Sequence, residues 1–319
     1  MAFKCILVTG GFGFIGASLV RKLLAEGSRV RVLDDLSRGD AANLEGLEVE
    51  ALTGDVRDPR DVGEAMEGGV DAVVHLAAFG SVTESVSGLS ENFDVNVRGT
   101  VNLLQEAARR KVKKFVFASS GGAVIGRGPL PVSEASLPRP VSPYGASKLC
   151  GEAYCHAFAQ TFALPTVMLR FANVYGPFSH RKRGAVTAFI KALLRDRPLV
   201  IYGDGSATRD FLFVDDLCQG IYQALERSLE PGTLLHLASG VETTIIALAN
   251  ELRKIAGRAS HPTHFAPPRA GELEHNFADF DRANRLLGFN PRTSLTAGLD
   301  LTWRWFRSHP AALRSLDQN

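Results

Sequence analysis

Through the first half of the chain, short runs of consecutive apolar residues alternate with longer stretches in which apolar positions recur every three to four residues. Runs such as Cys5–Val8, Val116–Ala118 and Val167–Leu169 lack the in–out alternation of a half-exposed strand, so they read as strands covered on both faces. The pattern predicts strands over Lys4–Thr9, Arg29–Asp34, Glu48–Thr53, Ala72–Leu76, Lys114–Ala118 and Thr166–Phe171. Helices are predicted near Ile15–Glu26, Pro59–Met66, Glu91–Arg110 and Pro143–Phe162. Such alternation predicts an α/β fold with a doubly wound parallel sheet. After Phe171 the texture changes: Asn173–Gly184 and Ala259–Gly271 are rich in turn-forming and basic residues, and both read as loops over a site. Between and after them, strands near Leu199–Tyr202, Arg209–Val214 and Leu234–Ala238 alternate with helices Ala185–Arg195, Asp215–Glu226 and Thr243–Ile255.

Composition narrows the class. With 45% hydrophobic and 22% charged residues over 319 positions, the chain is neither disordered nor a disulfide-stapled miniprotein. The net charge of +2 and the shortness of the basic clusters Arg109-Arg110-Lys111 and Arg181-Lys182-Arg183 argue against a nucleic-acid partner. Four cysteines without a CxxC pair give no zinc signature and read as free thiols in a reducing compartment. No apolar run is long enough to span a membrane and no secretory leader is visible, so a cytoplasmic protein without a membrane partner is expected.

Glycine is over-used, 31 of 319, and part of the excess is concentrated. Gly10, Gly13 and Gly16 form a G-x-x-G-x-x-G turn between the first strand and the first helix. One glycine makes the tight turn, another lets backbone amides touch a pyrophosphate, and the third brings helix against strand. The helix N-terminus then faces the diphosphate with unpaired N–H groups. Asp34-Asp35 ends the second strand, where a carboxylate accepts from the adenosine-ribose hydroxyls and repels a 2′-phosphate, favouring NAD over NADP. Arg38 nearby could instead tolerate that phosphate. Asp55-Val56 either flanks the adenine or caps the next helix. Tyr144 and Lys148 stand at i and i+4, where an ammonium close to the phenol lowers its pKa and makes it a general base, although such pairs are also common on surfaces.

These motifs, with His75-Leu76-Ala77-Ala78, Asn96–Thr100, Ser119-Ser120, Pro143–Lys148, Leu169–Pro177, Arg209–Phe211 and Ala278-Asp279, resemble the extended short-chain dehydrogenases/reductases of the NAD-dependent nucleotide-sugar epimerase/dehydratase family, and its epimerase branch most. The resemblance implies a Rossmann domain over 1–172 and 208–238, with a smaller C-terminal α/β substrate lobe over 173–207 and 239–319. It implies NAD held by Gly10, Gly13, Phe14, Ile15, Gly16, Asp34, Asp35, Ser37, Arg38, Asp55, Val56 and Ser119, with Leu76, Ala77 and Ala78 beside the nicotinamide ribose and Asn96 bracing the sheet. Tyr144 would be the base and Lys148 its ribose-binding partner. A UDP-sugar would meet Asn173, Val186, Val200, Tyr202, Arg209, Arg269 and Glu272, the arginines on its phosphates. Helices Glu91–Arg110 and Pro143–Phe162 would pair across a homodimer.

Two departures bear on the reaction. Gly121 occupies the position of the family's catalytic Ser/Thr, with Ser120 one position early to serve instead, and Ile125 replaces an aromatic residue. The same stretch lacks the Asp-Glu pair of 4,6-dehydratases, leaving Glu84 as the first candidate acid. Epimerisation at carbon 4 is the leading expectation, with water loss in the 5,6- or 4,6-sense the alternative.

Overall fold

A computed structural model describes residues 3–269 and 273–317. Its strands are β1 (Cys5–Thr9), β2 (Arg29–Asp34), β3 (Glu50–Thr53), β4 (Ala72–His75), β5 (Lys114–Ser120), β6 (Thr166–Phe171), β7 (Asn173–Tyr175), β8 (Leu199–Tyr202), β9 (Thr208–Phe213), β10 (Thr233–Leu237), β11 (Glu242–Thr244) and β12 (Thr263–Ala266). Seven of them form one parallel sheet in the order β10-β6-β5-β4-β1-β2-β3. β1, β4 and β6 are buried along their whole length, as continuous apolar runs require, whereas β3 lies at an edge and is largely exposed.

The helices are α1 (Phe14–Ala25), α2 (Pro59–Ala65), α3 (Val82–Ser87), α4 (Leu89–Phe93), α5 (Gly99–Arg109), α6 (Gly121–Ile125), α7 (Pro143–Phe162), α8 (Ala185–Leu194), α9 (Val214–Glu226), α10 (Ile245–Ile255), α11 (Asp281–Leu287), α12 (Leu295–Ser308) and α13 (Pro310–Asp317). Helices α1 and α9 pack one face of the large sheet through Leu19, Val20, Leu23, Leu217 and Ile221. Helices α2, α5 and α7 cover the other through Val62, Leu103, Leu104, Cys155 and Phe158. The sheet is therefore doubly wound. A second core gathers Phe189, Ile201, Phe211, Phe213, Leu252, Trp303 and Phe306 from α8, β8, β9, α10 and α12.

The structure corrects several element predictions. The stretch Glu91–Arg110 is not one helix: a π-turn over Asp94–Arg98 separates α4 from α5 and turns Asn96 inward to bond Phe79. Asn173–Gly184 is not all loop, since β7 begins one residue after β6 ends, and Ala259–Gly271 contains β12 parallel to β8. β9 joins no part of the large sheet; it lies between β11 and β7 in a three-stranded sheet.

Candidate active site

The glycine turn leaves no room for side chains. Gly10 has φ +70°, and a Cβ there would lie 2.8 Å from the Ala77 nitrogen, at the end of β4. A Cβ on Gly16 would sit 2.1 Å from the Gly10 carbonyl oxygen, so α1 is drawn tight against the turn. Gly13 precedes α1 with no side-chain cap, which leaves the N–H groups of the first turn, Phe14 and Ile15 among them, to an anionic ligand. Asp34 is buried; Oδ2 accepts from the Phe12 N–H and Oδ1 from the Leu36 N–H, both at 2.9 Å. Burial pushes its carboxyl pKa up while these bonds oppose the shift, and each oxygen retains a lone pair for a ribose hydroxyl. A tight turn, a free helix N-terminus and a fixed carboxylate suit the diphosphate and the adenosine ribose of NAD.

Around this cradle the expected residues divide. Asp35 is turned onto Ser37, whose N–H and hydroxyl it accepts at 3.0 and 2.6 Å. Asp55 pairs with Arg57, and it is Asp58 that caps α2. Val56 packs beneath Gly99. Arg38 lies over the Phe79 ring and pairs with Glu84 at 2.5 Å. Arg183 pairs with the other Glu84 oxygen. Arg38, and Arg183 with it, hold the Glu84 carboxyl below the usual carboxylate range, a direction that disfavours it as a proton donor.

At the catalytic helix Ser120, at the end of β5, stands beside the phenol of Tyr144, in the first turn of α7. Burial pushes the phenol up to about 12, and Ser120 pulls the other way. This corrects the expectation that Lys148 lowers it. The Lys148 ammonium donates to the Ala118 carbonyl at 2.9 Å, and burial lowers its own pKa to about 8. Ser119 faces away from the phenol, donating to Glu152 at 2.5 Å, and Glu152 in turn holds the buried Arg170 in a two-pronged pair at 2.8 and 2.7 Å.

The glycine pair after Ser120 has a structural cause the sequence reading missed. A Cβ on Gly121 would lie 3.2 Å from His236 Nδ1, and one on Gly122 would lie 2.0 Å from Asn276 Nδ2. The Asn276 amide thus occupies the space of a side chain at 122. Two adjacent glycines, Gly121 and Gly122, are the available signal in the sequence; their partners lie more than a hundred residues away and leave no local mark.

On the substrate side, Asn173 and Val186 line one cavity of about 30 Å³ together with Lys182, Thr187 and Phe211. Val200 and Tyr202 alternate with the buried Leu199 and Ile201, so both face outward from β8. The Arg269 guanidinium stacks 3.7 Å from the centre of the Tyr202 ring. Arg209 Nη1 donates to its neighbour's carbonyl, Thr208 O, at 2.7 Å. Glu272 lies outside the described residues. The segment before α8 crosses back to the nucleotide turn: Arg181 donates to the Gly39 carbonyl at 2.5 Å, and Arg183 reaches Glu84. Among the described residues, no cluster of His, Cys, Asp or Glu is arranged to hold a metal, and no helix is long and apolar enough to cross a membrane.

Comparison with known proteins agrees with this geometry. The family model for NAD-dependent epimerases/dehydratases matches residues 6–236. A UDP-glucose 4-epimerase of Mycolicibacterium smegmatis is 39% identical over 312 residues, covering 95% of this chain and 98% of the relative. The structure of a UDP-glucose 4-epimerase from Thermotoga maritima with UDP-glucose superimposes with a TM-score of 0.91 at 35% identity, covering 95% and 98% of the two chains. A dTDP-glucose 4,6-dehydratase from Streptomyces venezuelae with NAD bound superimposes with a TM-score of 0.90 at 34% identity, covering 96% and 98%.

Proposed function

Because the chain belongs to the NAD-dependent epimerase/dehydratase family, whose members modify nucleotide sugars with NAD as cofactor, we propose that it epimerises a UDP-hexose or UDP-N-acetylhexosamine at carbon 4. The observation that carries this reading is the make-up of the catalytic surface. It brings the Tyr144 phenol beside Ser120, and among the described residues no carboxyl side chain acts on that phenol. Gly122 and Ala123 bring no carboxyl, the space at 122 holds the neutral Asn276 amide, and Glu84 is paired with two arginines. Water loss needs a proton donor for the departing hydroxyl; moving a proton on and off the 4-hydroxyl needs only the phenol.

The Gly10–Gly16 turn, Asp34 and the Leu76–Ala78 segment would hold NAD, which would supply a reversible hydride acceptor for carbon 4 and, on its oxidised ring, a positive charge favouring the phenolate. Tyr144 takes the 4-hydroxyl proton and returns it, and Ser120 donates a hydrogen bond to the phenol oxygen while it is charged. Lys148, fixed by the Ala118 carbonyl, faces the ribose side. Asn173 and Val186 support the diphosphate, with Arg209 and Arg269 supplying guanidinium groups to it, and Val200 and Tyr202 form the edge for the base.

The partner in solution is a second copy of the chain. α7 exposes Cys150, Ala153, Tyr154 and Ala157 along one uncharged stripe, and the neighbouring α4 exposes Leu89 and Phe93. The free thiols, Cys150 exposed among them, suit a reducing cytoplasm. Incubation of the purified protein with UDP-glucose, UDP-galactose and their N-acetylated forms tests the activity. Interconversion at unchanged mass is expected, a loss of about 18 Da would replace epimerisation by elimination, and no change in any sugar would refute both.

A further inference from the structure

The imidazole of His75 has no part in the reaction as drawn, yet it is 1% exposed at the end of β4 and both of its nitrogens are engaged. Nδ1 lies 2.7 Å from Thr9 Oγ1, and Nε2 lies 3.0 Å from Thr100 Oγ1. The neighbours decide which nitrogen carries the proton. Thr100 spends its single hydroxyl proton on the Asn96 carbonyl at 2.6 Å, so towards His75 it can only accept, and Nε2 is the donor. Nδ1 is then a bare acceptor for the Thr9 hydroxyl, whose oxygen in turn accepts the Ala77 N–H at 3.2 Å.

The chain continues from Asn96. Its Oδ1 accepts the Phe79 N–H at 2.7 Å, and its Nδ2 donates to Ser147 Oγ at 2.9 Å. Ser147 passes its own proton to the Tyr144 carbonyl at 2.8 Å. Every hydroxyl in the series therefore has its single proton assigned, and a second ring proton on His75 would set an N–H against the Thr9 hydroxyl. Burial holds the imidazole pKa to about 3, with the Lys148 ammonium acting in the same direction. Segment 76–79 is gripped at Ala77 by Thr9 and at Phe79 by Asn96, and the same bonds end on the backbone of the first turn of α7.

We propose that His75, as the neutral Nε2–H tautomer, is a positioning residue that registers the Leu76–Phe79 backbone against the turn of α7 carrying Tyr144. The inference rests on the reading of Leu76–Ala78 as the cofactor's nicotinamide side. A nicotinamide held against that segment would face carbon 4 while the phenol takes the proton of the 4-hydroxyl, so the spacing of the two backbones sets whether both can be met in one pose.

Histidine-selective 15N NMR of the wild-type protein reads the tautomer directly, without substrate. The resonance pair assigned to His75 by its loss in His75→Gln should carry the Nε2–H signature and stay unchanged between about pH 6 and 8; an Nδ1–H tautomer or a titration of that pair in this range would overturn the proposal. In the second arm, Thr100→Val removes the acceptor while keeping the shape, and Thr100→Ser restores it. Thr100→Val should lower kcat by about 10–100-fold with KM within about 3-fold and an unchanged content of bound NAD. Thr100→Ser should stay within about 3-fold of wild type. Wild-type kcat in Thr100→Val, or equal losses in both variants, would refute the positioning role. Because the NMR arm needs no turnover, failure of the epimerase reading and failure of this proposal give different results.

Discussion

Removing the Ser120 hydroxyl tests the catalytic pair most directly. In Ser120→Ala the phenol of Tyr144 loses the one neighbour that opposes the effect of its burial, and with it the hydrogen bond proposed for the charged state. A hydrogen bond to a charged oxygen is worth about 1.5–3 kcal/mol net, and one pKa unit corresponds to about 1.4 kcal/mol. The phenol should therefore rise by about one to two units. Activity needs the ionised form, so below that pKa each unit removes about nine-tenths of the active base, and the rate near pH 7 should fall by about 10–100-fold. The acid limb of the kcat profile should move to higher pH by the same one to two units, roughly. Conversion of UDP-galactose to UDP-glucose, coupled to UDP-glucose dehydrogenase across a pH series, measures both. Ser119→Ala is the control, because that hydroxyl points to Glu152 and not to the phenol. If the limb stays in place in Ser120→Ala, or moves as far in Ser119→Ala, the Ser120–Tyr144 pair is not what tunes the base.

Gly16→Ala should destabilise the fold by about 2 kcal/mol or more and abolish copurifying NAD, because its Cβ would meet the Gly10 carbonyl oxygen at 2.1 Å; a melting curve with a nucleotide assay of the denatured protein checks both. Glu152→Leu strands the Arg170 charge, which is 2% exposed and already has one nitrogen unpaired, so a cost of about 3–5 kcal/mol is expected in urea unfolding, and the double variant with Arg170→Met should recover most of it. His75 and His236 are both held to about 3 by burial, against about 6.5 in the unfolded chain. With the folded value lower, the unfolded state takes up protons first: stability is complete above about pH 6.5 and falls below it, by about 2 kcal/mol per histidine at pH 5. An unchanged melting temperature between about pH 7.5 and 5 would contradict that.

The large sheet was legible because its central strands are apolar on both sides, and the nucleotide turn because Gly10 and Gly16 answer to the tight turn they make. What sequence could not show was set by distant partners. The role of Glu84 depends on Arg38 and Arg183, which the chain brings to it from opposite directions. The phenol's pKa depends on how deeply α7 is packed, and spacing to Lys148 carries no information about that. Asn276 meets Gly122 only in the folded protein, and the π-turn at Asp94–Arg98 has helical apolar periodicity, so nothing in the pattern announces its extra residue.

The pairing of β10 with β6 also has a consequence for how the molecule is made. β6 is buried on all six positions and stays an open edge until β10, which begins roughly sixty residues later, has left the ribosome. At about 5–20 residues per second, that edge waits about 3–12 s without its partner. A nascent chain of this protein therefore carries an apolar, hydrogen-bonding margin for seconds, the kind of surface that pairs with another nascent chain or recruits a chaperone. Yield on expression should respond to translation speed over the segment between the two strands more than to the stability of the finished fold.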